Sequence, residues 1–259
     1  MEEIIKQLKK EYKRIEGGYQ EANLQHYIIS NIFLKCYGYD MKHLEIGKRI
    51  VKGFCDIYVP TVGEEALIVE VKNGKKPLKV EDISQAISYA EDEQQRFSVL
   101  TNGYEYMLLD RNIDASPKNH DNKLESYIVF WFNIFEPRGK GLTELKYFKY
   151  LSFENLYKNK TTHFYADIAK YREWKLAQGM KASSLTAYRC TLYQFFDLYA
   201  QENIYKTGYE SEGKRCYEKL DIEDFKKFIK ERKRHKENSS IKTIENNFSH
   251  IYDMLYELN

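Results

Sequence analysis

The chain has 259 residues, 42% hydrophobic and 15% aromatic, which excludes disorder as its overall state; its 31% charged residues fit a soluble protein. A net charge of +2 is close to neutral, so charge alone does not mark a nucleic-acid binder, and any basic surface must be local. No apolar run approaches the ~18–20 residues that a membrane helix requires.

The amino terminus, MEEIIKQLKKEYKR, is charged from its second residue and lacks a signal-peptide core, so a cytoplasmic protein is expected. Residues 1 to about 35 read as helical, with a break at Gly17-Gly18. Leu24, Ile28 and Ile32 then recur at four-residue spacing and give the second helix an apolar stripe. From Gly47 to Val71 the texture changes. RIVKGFCDIYV and ALIVEVK are short, β-branched and bounded by Pro60, Gly63 and Asn73-Gly74, which are strand signals. A helix is predicted over Val80 to Asp92. In RFSVLTNGYEYMLLD, Asn102-Gly103 can turn one strand back into a hairpin. SYIVFWF, Ser126 to Phe132, is a further strand.

After Pro137-Arg138-Gly139-Lys140 the pattern becomes helical, over roughly 161–178, 183–202, 221–233 and 240–257. The separators are Gly179, a loop at 206–214 with Gly208 and Gly213, and the polar stretch Lys236 to Ser239. Ser183 or Ser184, Asp221 with Asp224, and Ser239 or Ser240 supply the caps. The dense basic run Lys226 to Lys236 reads as a solvated helix face or a local basic patch. The expected organisation is an α/β domain over residues 1–145 and a small all-helical domain over 150–259. The four cysteines, Cys36, Cys55, Cys190 and Cys216, form no CxxC pair and read as reduced thiols. The six histidines show no HxH or HxxxH spacing.

The chemistry concentrates on two strands. Side chains at i and i+2 share a strand face, so Ile68, Glu70 and Lys72 point one way while Leu67, Val69 and Val71 point the other. Upstream, Asp56 interrupts an apolar strand whose Cys55, Ile57 and Val59 face the opposite side. If the strands are neighbours, Asp56 and Glu70 converge, repel and raise one another's pKa. A hard divalent cation such as Mg²⁺, which takes carboxylate, carbonyl and water oxygens, removes that penalty. Lys72 can then orient or deprotonate a water, or neutralise charge developing on a phosphate, parts that suit phosphodiester hydrolysis. Taken alone, a lone Asp and an ExK are commonly edge-strand charges or a surface pair worth ~0–1 kcal/mol.

The order of a helix with Glu21, a strand with Asp56, a strand with Glu70-Val71-Lys72 and a helix with Gln85-Ala86-Ile87-Ser88-Tyr89 resembles the PD-(D/E)xK nuclease superfamily. It is most similar to the nuclease domain at the amino terminus of type I restriction enzyme motor subunits, whose QxxxY helix and "TNG" strand are matched by Gln85/Tyr89 and Thr101-Asn102-Gly103. The resemblance covers about residues 15–135. It implies a restriction-endonuclease-like mixed sheet flanked by helices, with Asp56 and Glu70 as Mg²⁺ (or Mn²⁺) ligands and the Val71 carbonyl as a third. It further implies Lys72 as the catalytic lysine, Gln85 and Tyr89 positioning the site or touching DNA backbone, and Glu21 beside the site. Cys55 stands where the family's name has proline.

The helical half resembles the core-binding (SAM-like) domain of tyrosine recombinases and phage integrases, through Ser183-Ser184-Leu185-Thr186-Ala187-Tyr188, DIEDFKKFI and SSIKTIENNFSHI. Such domains grip duplex DNA by phosphate contacts, and the resemblance implies Lys181, Ser183, Ser184, Thr186, Arg189, Lys242 and Thr243 as contacts. The chain stops at Asn259, where a recombinase would continue into its catalytic domain, and Tyr252 and Tyr256 fit core packing; recombinase activity is not expected. No GxxxxGK[ST] loop is present, so ATP should not be needed.

The expectation is therefore a Mg²⁺-dependent DNA endonuclease with a helical domain that holds the duplex. Its rivals are a non-enzymatic DNA-binding accessory protein on the same scaffold and an RNA nuclease. The resemblances suggest a place in phage defence or mobile-element maintenance, and they leave room for a homodimer or a defence-system partner protein.

Overall fold

A computed structural model describes residues 5–6, 9–10, 21–60, 66–113, 123–135, 146–158 and 161–185, with 188, 192, 249–250 and 253. The chain divides into two compact units, Met1–Thr162 and His163–Asn259.

The first unit is built on a six-stranded sheet whose spatial order follows the sequence. Helix α1 (Glu21–Tyr27) runs on into a π-helical turn at Ile28–Leu34. Its expected stripe is real: Leu24, Ile28 and Ile32 are fully buried, each worth about 1.5–3 kcal/mol relative to exposure. Strand β1 (Glu45–Ile50) and β2 (Gly53–Val59) form an antiparallel hairpin. RIVKGFCDIYV, read as one strand segment in the sequence, is thus two strands with a turn at Val51-Lys52. Gly53 makes the return possible with φ +147°, a backbone that other residues rarely adopt.

Strand β3 (Leu67–Val71) is antiparallel to β2 and parallel to β4 (Phe97–Thr101). A parallel pair needs a crossover, which helix α2 (Asp82–Asp92) provides. Strands β5 (Glu105–Asp110) and β6 (Ile128–Asn133) complete the sheet in antiparallel order. The β4–β5 hairpin turns at Asn102-Gly103 as expected. Gly103 lies at φ +89°, and the Asn102 Oδ1 accepts the Glu105 amide at 2.8 Å. Every residue of β3, β4 and β5 is buried, because both faces of the central sheet are covered. Helix α2 covers one face, packing Ile83, Ala86 and Ile87 with Leu100, Met107 and Leu109. Tyr89 and Ala90 continue that face with Tyr58 and Ile68. Helix α3 (Lys146–Tyr150) closes an aromatic cluster in which the rings of Phe33, Tyr37, Tyr106, Phe132 and Phe148 meet.

Of the second unit, the structure describes most of helix α4 (Thr161–Ala177), whose Tyr165, Ile168 and Tyr171 are buried. The chain then turns through Gly179 at φ +88°, and residues 182–185 are helical. Residues 249–250 are helical too; the Tyr171 hydroxyl meets His250 Nδ1 at 2.6 Å, and Lys175 pairs with Asp253 at 2.8 Å. The predicted helix over 221–233 and the basic run Lys226 to Lys236 lie outside the described residues.

Candidate active site

The site forms where β2 and β3 part. Their ladder runs from Val59/Leu67 to Ile57/Val69. At the next step the Asp56 carboxylate takes the place of a backbone acceptor: its Oδ2 accepts the Val71 amide at 2.7 Å. Helix α1 braces it from the other side, where the Gln25 Nε2 donates to the Asp56 carbonyl at 2.8 Å and to Oδ1 at 3.3 Å. Burial raises the pKa of Asp56 above the usual carboxylate value and the charge of Glu21 adds to this, against the Val71 amide and Lys72.

Glu70 points from the interior strand β3 and is 3% exposed. Its Oε1 accepts the Lys72 ammonium at 2.7 Å, while its Oε2 is buried with no hydrogen-bond partner. Burial, reinforced by the charge of Asp56, pushes its pKa up to about 7 even though Lys72 pulls the other way. The Lys72 amide donates to the Thr101 carbonyl of β4 at 2.7 Å, which fixes the chain just past β3. Its Nζ donates a second time, to the Gln85 Oε1 at 2.6 Å. Burial pulls the Lys72 pKa down, but the Glu70 hydrogen bond and the charges of Glu70, Asp82 and Glu21 outweigh it, so the ammonium form is favoured.

Gln85 faces the site from α2 and donates its Nε2 to the Tyr89 hydroxyl at 2.8 Å, one helical turn on. Tyr89 is 8% exposed, so its side chain sits in the core under Gln85 and offers little surface to a DNA backbone. Glu21, in the first turn of α1, is exposed, and its charge acts on Asp56, Glu70 and Lys72. Asp56, Glu70, Val71, Lys72, Gln85 and Tyr89 are thus linked by hydrogen bonds and charge at one end of the sheet. It is the carboxyl end of the parallel pair β3/β4, where open α/β sheets place their ligands.

Among the described residues no three His, Cys, Asp or Glu side chains gather as a metal cage. Asp56 and Glu70 are a pair, and a pair fits Mg²⁺, which keeps several waters and takes one or two carboxylates. The unpartnered Glu70 Oε2 is the observation that fits a cation to this place, because a buried carboxylate oxygen left without a donor is costly.

Residues 19–122 match the family described as the type I restriction enzyme R protein N terminus. The match takes in Glu21, Asp56, Glu70, Lys72, Gln85 and Tyr89, covers less than half of the chain, and supports a restriction-enzyme-related, nuclease-like first part. Neither curated proteins nor solved structures give a match.

Gln25 is the site residue that sequence reasoning missed. Its only signal is its place four residues after Glu21, on the same helical face. Cys55, at the proline position, is a free buried thiol that burial pushes up to about 11, which makes it inert. In the second unit Lys181, Ser183 and Ser184 are exposed where the chain re-enters helix. Thr186, Arg189, Lys242 and Thr243 lie outside the described residues. No helix among the described residues is long and apolar enough to cross a membrane.

Proposed function

We propose that the first unit is a divalent-metal-dependent nuclease that hydrolyses phosphodiester bonds of DNA, and that the helical second unit holds the duplex. The observation that carries this is the buried, unpartnered Glu70 Oε2 next to a second raised carboxylate and a fixed ammonium. Two carboxylates with raised pKa values disfavour their own ionised forms, and a cation between them restores the ionised state. Asp56 and Glu70 would hold Mg²⁺ or Mn²⁺, with the Val71 carbonyl beside them; the bound ion would supply Lewis-acid polarisation of the phosphate.

The protein's own groups do the rest. Lys72 stays protonated, so its part is to neutralise charge developing on a phosphate oxygen rather than to take a proton. Gln85, itself held by Tyr89, fixes the Lys72 ammonium, and Gln25 fixes Asp56. Glu21 keeps the entrance negative and favours a cation. Lys181, Ser183, Ser184, Thr186, Arg189, Lys242 and Thr243 are the proposed phosphate contacts of the helical unit.

The test is incubation of the purified chain with supercoiled, linear and single-stranded DNA and with RNA, with and without Mg²⁺. Metal-dependent DNA cutting that is lost in Asp56→Ala, Glu70→Ala and Lys72→Ala supports the reading. Undiminished cutting by all three variants refutes the site assignment, and a preference for RNA moves the substrate.

A further inference from the structure

The β1–β2 hairpin presents an apolar tip that the fold does not use. Phe54 is 64% exposed and Val51 87%, whereas Phe33, Phe97, Phe130, Phe132 and Phe148 are all buried. The tip is held in place: the Lys52 Nζ donates to the Ser88 hydroxyl of α2 at 2.9 Å and pairs with Asp92 at 3.1 Å, and the Lys52 amide donates to Asp92 at 3.1 Å. Directly across the ladder from Phe54 stands Arg49, exposed and with no ion pair among the described residues. Phe54 is also two residues before Asp56 on β2, so both side chains leave the same strand face about 7 Å apart along the strand, roughly the rise of two stacked nucleotides.

An exposed aromatic face with a guanidinium across the ladder and a candidate phosphodiester site two residues along the same strand matches a polynucleotide with an unpaired base. We propose that Phe54 is a stacking platform for a base unstacked within one or two nucleotides of the phosphate at the Asp56–Glu70 site, with Arg49 on the adjoining phosphate. The proposal rests on the nuclease reading and narrows its substrate to DNA that carries a single-stranded or unpaired base. The occupant is nucleic acid rather than a second copy of the chain because the patch is continuous with the site and its free charge is cationic. Base–aromatic stacking is strong and indifferent to sequence, so it selects for unpaired structure rather than for a motif.

The experiment measures binding of the full chain to a short fluorescein-labelled DNA single strand and to the matching duplex, by anisotropy in metal-free buffer. Phe54→Ala should weaken single-strand binding about tenfold or more while Phe54→Trp retains it. Arg49→Ala should flatten the salt dependence by about one phosphate contact. Equal single-strand affinity of wild type and Phe54→Ala overturns the proposal, as does a dimer in sedimentation that Phe54→Ala dissociates. Circular dichroism of Phe54→Ala confirms folding, since the side chain is outside the core. Asp56→Ala separates the two readings: if it cuts like the wild type while Phe54→Ala still loses the single strand, the assignment of catalysis to the Asp56–Glu70 site fails and the stacking platform stands.

Discussion

Two ion pairs sit at opposite ends of the central sheet, one buried and one partly buried, and they are built differently. At the start of β4, Arg96 donates Nε and Nη2 to the Asp110 Oδ2 at 3.1 and 2.9 Å, and Asp110 Oδ1 accepts the Asn112 amide. Both carboxylate oxygens are engaged, as a buried structural pair requires. At the other end Glu70 gives one oxygen to Lys72 and leaves the second without a donor, with Asp56 adding a second negative charge. The first arrangement fastens the β4–β5 hairpin. The second leaves one buried carboxylate oxygen unsatisfied, at the place where the proposed cation would bind.

The largest effects should separate the two pairs by readout. Glu70→Ala or Asp56→Ala should lower Mg²⁺-dependent DNA cleavage by about a hundredfold or more, read by plasmid nicking, because each removes a proposed ligand of the metal ion. Asp110→Ala leaves Arg96 buried without its carboxylate and should cost about 3–5 kcal/mol in urea unfolding, with little loss of cleavage per folded molecule at low temperature. If Glu70→Ala destabilises as much as Asp110→Ala and both cut normally, the contrast fails.

The pH dependence sharpens it next. Glu70 binds its proton more tightly folded than unfolded, so between about pH 4.5 and about 7 the unfolded chain releases a proton that the folded chain keeps. Its stabilisation is therefore fully present below about 4.5 and is lost as pH rises through about 7. Metal-free urea midpoints should fall across that window, and Glu70→Gln should flatten the fall. On the proposed reading Mg²⁺ would compete with this proton, so calorimetry should show its affinity rising with pH through the same range.

Smaller effects come from the supports. Gln85→Ala frees one bond of Lys72 and should slow cleavage about tenfold, as loss of an outer partner does at a metal site. Gly53→Ala puts a Cβ 3.4 Å from the Tyr89 hydroxyl at a φ of +147° and should cost about 1 kcal/mol in the same unfolding assay.

Much of the fold was readable in the chain. The stripe Leu24, Ile28, Ile32, the β-branched run of β3 and the Asn102-Gly103 turn each carry a local period or turn chemistry that long-range contacts do not override. The turn inside RIVKGFCDIYV escaped because Val51 and Lys52 carry no turn signature; the pairing Arg49↔Phe54 and the backbone of Gly53 decide it.

The sequence by itself determined which side chains could do chemistry, since Asp56, Glu70 and Lys72 are charges set in apolar strands. Only the tertiary structure decided that β2 and β3 are neighbours, that Glu70 lies on an interior strand rather than an edge, and that one of its oxygens is left without a donor. It also recruited Gln25 and turned Phe54 outward beside Asp56. The reason is physical: burial and hydrogen-bond satisfaction depend on which segments meet across the sheet, and a pKa shift follows from that meeting rather than from the residue alone.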